Sequence, residues 1–276
     1  MESILSKKQF SQKTTKVYLS IIKRLLKLGF KFPKGKSEKV EYIKAFFDEH
    51  KLDKSSTRLD LLNVVIVLRA IEQMPIDKLK GYRTELSKDR LQNQIGKMNA
   101  VKDTLMSIPD FTAELMKAYE AGEYKKFIVN YVMLTFGTRN LDIFATIVKS
   151  KKDATDPDKN YLILSKGKVT WVRNKYKTVK TFGKQEHDII DPEFVNAVKK
   201  QGMGPLFAEG QLSNGMRKLL INSMTESKVF KMAVDAAYDK KDTKRINELS
   251  KSRGTSISTI KSFYNVNAEH DIIKEL

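Results

Sequence analysis

The sequence predicts a mainly α protein with one small antiparallel β-sheet, and three observations predict it. Apolar residues recur at helical spacing through the first hundred residues, the period switches to two between Tyr161 and Phe182, and helical spacing returns from Ser213 to Tyr264. With 276 residues, 41% of them hydrophobic, the chain can bury one large core or two modest ones.

Each element has its own signal. Tyr18, Ile22, Leu25 and Leu26 fall on one predicted helix face, and Gly29 is placed to end that segment. Ser37 is placed to cap a second helix carrying Val40, Ile43 and Phe47. Ser55 or Ser56 can open a third, with Leu61, Val65, Leu68 and Ile71 on its buried side. After Pro75 comes a polar stretch, Lys78 to Asn99, predicted as a final helix plus the linker leaving a small helical domain. The expected domains are therefore residues 1–98 and 99–276. Ala113 to Ala121 and Tyr124 to Leu134 read as helices, followed by the break Thr135-Phe136-Gly137 and a helix through Asn140 to Val148. Tyr161 to Ser165 and Lys168 to Arg173 read as strands around a Lys166-Gly167 turn. Asn174-Lys175 reads as a second turn, with a third strand toward Phe182. Ser213 into Met224, Ser227 to Tyr238, Asp242 to Lys251 closed by Gly254, and Ser256 into Tyr264 complete the helices.

Composition narrows the function. Lys+Arg number 52 against 33 Asp+Glu, a formal net charge of +19. That excess favours a polyanionic partner, and its spread along the chain favours a folded basic groove over a basic tail. Lys78, Lys80, Arg83, Lys88, Arg90, Lys97 and Arg173 are candidate DNA contacts. There are no cysteines and only three histidines, His50, His187 and His270, far apart in sequence. Thiolate metal sites are thereby excluded and the histidines lack metal-ligand spacing, so catalysis would have to use Tyr, Arg, Lys and carboxylates. No stretch of about 18 apolar residues predicts a membrane span, and the N-terminus lacks a secretory h-region, so an intracellular location is expected.

Four segments can carry chemistry. In Phe136-Gly137-Thr138-Arg139-Asn140-Leu141-Asp142, Gly137 permits a tight turn, Arg139 follows in the first turn of a predicted helix, and Asp142 lies one turn on. A guanidinium there can grip a phosphate bidentately. In Arg173-Asn174-Lys175-Tyr176-Lys177-Thr178, a turn lysine can protonate a leaving oxygen. Leu212-Ser213-Asn214-Gly215-Met216-Arg217 places an arginine in a capped first turn. Gly254 to Tyr264 ends on a tyrosine.

In this order, across roughly residues 105 to 268, the segments resemble the catalytic domain of tyrosine recombinases and the related type IB topoisomerases. Gly137 to Asp142 resembles the family's first arginine motif, Asn214-Gly215-Met216-Arg217 its His-x-x-Arg motif, and Gly254 to Tyr264 its Leu-Gly-His to Tyr segment. The resemblance implies a two-domain clamp, a helical core-binding domain plus an α+β catalytic domain. It implies Tyr264 as nucleophile, Arg139 and Arg217 as phosphate clamps, and Lys177, or alternatively Lys175, as general acid. Asp142 would hold Arg139 or a neighbour, and Asn214 and Thr255 would add hydrogen bonds. Asn214 stands where the family has His or Lys, and Thr255 where it has His or Trp. The longer Arg217–Tyr264 interval implies an insertion around Glu226 to Asp242. The implied activity is cleavage and rejoining of double-stranded DNA without metal or other cofactor, for site-specific recombination or integration. The alternatives are relaxation of supercoils, or DNA binding on a catalytically impaired recombinase fold. The partly apolar tail with Ile272, Ile273 and Leu276 implies a dimer or tetramer on DNA.

Overall fold

The computed structural model describes residues 2–208 and 214–265, with the side chains of residues 2, 3, 94–100 and 214 outside the described set. The chain divides into two compact units, Met1–Gly96 and Lys97–Leu276.

The first unit is helical: α1 (Glu2–Leu5), α2 (Gln12–Lys27), α3 (Val40–Glu49), α4 (Ser55–Ile71) and the start of α5 (Asp77–Lys102). Ser11 caps α2 by accepting from the Thr14 N–H. Ile22 and Leu25 are buried on that helix, whereas Leu26 is 53% exposed, 100° around the helix from Leu25. The α3 N-cap is Lys39 in a left-handed conformation, with no side-chain cap, so Ser37 does not take the predicted role. Phe30, Ile43, Phe47, Leu62, Val65 and Leu79 are among the residues that build this core. The buried Arg69 ties two loops to α4, donating to the carbonyls of Pro75, Pro33 and Gly35. The basic stretch is one continuous helix, α5, rather than helix plus linker. Its Leu79, Tyr82 and Leu86 are buried at i, i+3 and i+7 spacing.

The second unit is mainly helical around a mixed five-stranded sheet. Its helices are α6 (Ile108–Glu120), α7 (Tyr124–Phe136), α8 (Val179–Phe182), α9 (Pro192–Gln201), α10 (Asn214–Leu219), α11 (Glu226–Asp239), α12 (Thr243–Arg253) and α13 (Ile257–Phe263). Its strands are β1 (Ala145–Val148), β2 (Asn160–Ser165), β3 (Lys168–Arg173), β4 (Gln185–Ile189) and β5 (Gly204–Pro205), in the order β4-β3-β2-β1-β5. β1 pairs parallel with β2, and the remaining pairs are antiparallel. Leu162, Val169, Trp171 and Ile189 on one sheet face enter the core with Phe127 of α7 and Phe194 and Val198 of α9.

The sheet is thus larger than predicted by β1 and β5, and its third predicted strand is displaced. The apolar run after Asn140 is a 3-10 turn, Asn140–Ile143, followed by β1, and not one helix. Val179–Phe182 is a helical turn, and the strand predicted there lies further on as β4. β4 is an edge strand whose exposed face carries polar pairs, Lys168 with Asp188 at 2.7 Å and Thr170 with Asp188 at 2.6 Å. α10 ends at Leu219, short of the predicted Met224. The segment around Glu226 to Asp242 is α11, whose Val229, Phe230 and Val234 are fully buried.

Candidate functional site

The C-terminal end of α12 organises the site. Gly254 ends that helix in the left-handed region (φ +62°), its N–H and that of Thr255 bonding the carbonyls of Lys251 and Ser250. A Cβ at this position would run into Thr178 Oγ1, so glycine is required by contact as well as by φ. The last carbonyls of a helix lack intrahelical donors. Here four consecutive ones are met by side chains from elsewhere in the fold. Lys251 O accepts from Gln185 Nε2 at 2.8 Å, Ser252 O from Arg173 Nη1 at 2.5 Å, Arg253 O from Arg139 Nη1 at 2.5 Å, and Gly254 O from Thr178 Oγ1 at 3.0 Å. Two guanidiniums at the negative end of a helix are also favoured by its dipole.

Arg139 is the N-cap of the 3-10 turn and half-buried, not a residue projecting from an α-helix. Gly137 before it ends α7 at φ +60°, and a Cβ there would sit 2.5 Å from the Phe230 ring. Burial and the neighbouring Arg253 cation lower the Arg139 pKa, with Asp142, Tyr264 and Glu226 opposing; an arginine so placed remains charged at neutral pH. Asp142 is fully buried, accepts the Arg139 backbone N–H through Oδ2 at 3.1 Å, and pairs with Arg173 Nη2 at 2.5 Å.

That pairing corrects the expectation that Arg173 contacts DNA. Its exposure is 0%, and its guanidinium lies over the Trp171 and Tyr176 rings at 4.8 and 4.6 Å. A cation placed between a carboxylate, a helix end and two aromatic faces has no route to a duplex.

Lys175 and Lys177 are exposed, and Tyr176 between them is buried, its hydroxyl donating to Gly183 O. They lie in the loop joining β3 to α8 rather than in a tight hairpin turn. Buried Asn160 fixes this loop: its amide group donates to Lys175 O and Asp142 O, and its Oδ1 accepts from the Lys175 N–H. Thr178, adjacent to Lys177, is the residue bonded to Gly254 O. Both lysines line a cleft of about 770 Å³ walled by Phe144, Asn160 and Phe207 among others.

Tyr264 caps the C-terminal end of α13, whose N-cap Ser256 follows two residues after Gly254. Its partly buried ring packs edge-to-face on Phe230, centroids 4.7 Å apart. Arg253, which the sequence reading missed, lies with its guanidinium carbon 4.1 Å from the Phe230 ring centroid and 5.1 Å from that of Tyr264. Thr255 is partly exposed, and its carbonyl accepts from Ser250 Oγ.

The structure therefore brings together the segments of Arg139, Asp142, Lys175, Lys177, Thr255 and Tyr264. No contact ties Arg217 to them: it is exposed on α10, without a side-chain hydrogen bond or ion pair among the described residues. The Asn214 side chain, the Lys97 side chain and the tail with Ile272, Ile273 and Leu276 lie outside the described residues. Lys78, Lys80, Arg83, Lys88 and Arg90 are exposed on α5. Besides Arg253, sequence reading missed Thr178, Asn160 and Glu226. An arginine just before a helix-ending glycine looks like any cation favoured at a helix C-terminus, so no signal set it apart.

Comparison with protein-family profiles and with curated proteins gives no match. Among solved structures the chain is similar to the crystal structure of XerA recombinase at 12% sequence identity, over 99% of this chain and 94% of that one, with a TM-score of 0.37. The chemistry of the site rests on the residues above and not on that likeness.

Proposed function

We propose that the chain is a tyrosine recombinase or integrase that cleaves and rejoins double-stranded DNA through a 3′-phosphotyrosyl intermediate. The observation that carries this reading is the convergence at the end of α12. Arg139 and the Lys177–Thr178 loop are held on the carbonyls of Arg253 and Gly254, and the helix ending in Tyr264 begins directly afterwards.

In this reading the Tyr264 hydroxyl loses its proton to solvent water and attacks the scissile phosphorus. The bond to the 5′-oxygen breaks, and Lys177, or Lys175, supplies the proton that makes the 5′-hydroxyl. Attack by a 5′-hydroxyl on the phosphotyrosyl bond reverses the step, so rejoining needs no external energy source. Arg139 and Arg217 hold the non-bridging oxygens, each such donor contributing roughly 3–4 kcal/mol to the transition state. Asn214 and Thr255 add hydrogen bonds, and Asp142 acts on Arg139 through its backbone N–H. Residues 1–98 would serve as the core-binding domain and 99–276 as the catalytic domain, with Lys78, Lys80, Arg83, Lys88, Arg90 and Lys97 on phosphates. Assembly on DNA would use the C-terminal tail.

The test is a nicked suicide duplex that traps the covalent intermediate. Wild type should give a protein–DNA adduct and Tyr264→Phe none; adduct from Tyr264→Phe overturns the assignment. One observation favours a second reading, DNA binding on an impaired catalytic fold: the Tyr264 ring is packed against both Phe230 and the Arg253 cation. DNA binding with no wild-type adduct on any substrate selects that reading.

A further inference from the structure

Arg253 is a buried, many-contact side chain that the mechanism above leaves without a role. It is 2% exposed. Its Nη1 donates to Gly137 O at 2.7 Å and Thr138 O at 3.4 Å, the two carbonyls directly before Arg139. Its Nη2 pairs with Glu226 Oε1 at 3.2 Å, and the other carboxylate oxygen of Glu226 accepts from the Asn140 N–H at 2.5 Å, directly after Arg139. The guanidinium also lies against both members of the edge-to-face pair Phe230 and Tyr264, its carbon 4.1 and 5.1 Å from their ring centroids. Finally, the Arg253 carbonyl accepts from Arg139 Nη1.

The Arg253 side chain thus grips the turn carrying Arg139 directly on one side and through Glu226 on the other, and packs against the tyrosine, while the residue's backbone carbonyl takes the Arg139 side chain. Only arginine offers this reach: a planar fork of five donors that bonds in its plane and stacks through its face. Burying that cation is costly unless it is paired, and Glu226 supplies the charge. Its Nε finds no partner among the described residues, so the group is not placed where hydrogen bonding alone would put it.

We propose that Arg253 is a positioning residue for strand cleavage, fixing the distance and orientation between the Arg139 guanidinium and the Tyr264 ring. This rests on the recombinase reading for its consequence, but its geometry can be tested without it.

The variants are Arg253→Met, Arg253→Lys, and Arg253→Met in an Arg139→Ala background. Each is first shown to be folded by thermal melting followed through Trp171 fluorescence. Single-turnover adduct formation on the suicide duplex at saturating DNA should fall about 100-fold in Arg253→Met, the scale of one misplaced transition-state donor. In the Arg139→Ala background the same change should cost at most about tenfold, because one of the two groups it positions is gone. Equal losses in both backgrounds overturn the proposal. The second measurement is nitration of Tyr264 by tetranitromethane without DNA, read by mass spectrometry against the exposed Tyr42. Arg253→Met should speed nitration at Tyr264 alone. Arg253→Lys should preserve the protection, keeping a cation over the rings, while losing the adduct rate with the fork. Unchanged nitration in Arg253→Met overturns the proposal. Should wild type form no adduct, the cleavage reading fails, and the nitration arm still decides whether Arg253 seats the tyrosine.

Discussion

Asp142→Asn removes the carboxylate from an ion pair in which both side chains are at 0% exposure. The variant keeps the shape and one acceptor oxygen, so what it tests is the charge. Breaking a buried pair from one side typically costs about 3–5 kcal/mol, because the remaining charge is left uncompensated. Arg173 keeps Ser252 O, Gln185 Oε1 and two aromatic faces, which places the expected loss near the lower limit, about 3 kcal/mol. In a unit of this size that is a fall in melting temperature of roughly 6–12 °C. Trp171 is the single tryptophan, and it stacks on Arg173, so its fluorescence reports the unfolding of this unit directly in urea or heat.

The double variant Asp142→Asn/Arg173→Met is the sharper test. Asp142 Oδ1 and Arg173 Nε both lack partners among the described residues, so the pair does not recover its full desolvation cost. Removing both charges should therefore return at least about 2 kcal/mol relative to the sum of the single losses. A loss below about 1 kcal/mol in Asp142→Asn, or strict additivity in the double variant, would refute the account of this pair.

Three further outcomes concern the same region. Burial, with the Arg173 cation adding to it, pushes the His187 pKa from 6.5 down to about 4. The unfolded chain takes up this proton as pH falls through 6.5 while the folded one resists until about 4, so the stabilisation is complete above pH 6.5 and lost progressively down to about 4. Partial exposure of the ring limits the effect to on the order of 1–2 kcal/mol. Urea midpoints at pH 7.5 and 4.5 should show this difference shrinking in His187→Gln, and an unchanged difference counts against it. Gly254→Ala should cost about 3 kcal/mol or more, since it adds left-handed strain to a clash with Thr178. Thr178→Ser keeps the hydroxyl and should stay within about 1 kcal/mol of wild type by urea unfolding.

How much of this was legible in the sequence depended on whether the determinant was local. Helix caps such as Asp242 before α12 and Ser256 before α13 are local, and the helices they open lie where their spacing predicted. β1 failed because a short run, Ala145 to Val148, with three apolar residues after a 3-10 turn has the same pattern as a buried helix. β4 failed because an edge strand advertises charge rather than alternation. α9 was announced by Asp191-Pro192, an N-cap followed by a favoured first-turn residue, and that signal was overlooked. Within the site, Gly137, Arg139 and Gly254 carried recognisable spacing. Arg173 was misassigned because nothing in its sequence distinguishes a cation buried under Trp171 from one on a groove. Its environment is made by Asp142 and Ser252, 31 and 79 positions away.

The contrast between buried and exposed members of the site supplies a last prediction. Asp142, Arg173 and Arg253 hold the structure together, so substitutions there should lower stability and adduct formation jointly. Lys177 and Arg217 are exposed and without side-chain hydrogen-bond or ion-pair partners among the described residues. Lys177→Ala and Arg217→Ala should therefore stay within about 0.5 kcal/mol of wild-type stability. If they act on the scissile phosphate, each should nonetheless lower the adduct rate by about 100-fold or more. The two differ in what restores the rate. A 5′-bridging sulfur leaves as a thiolate and needs no protonation, so it should rescue the loss of a general acid and not the loss of a phosphate clamp. Rescue of Lys177→Ala assigns the proton to Lys177. Rescue of Lys175→Ala instead moves the proton to Lys175. If sulfur rescues Arg217→Ala equally, the division of roles between lysine and arginine is wrong.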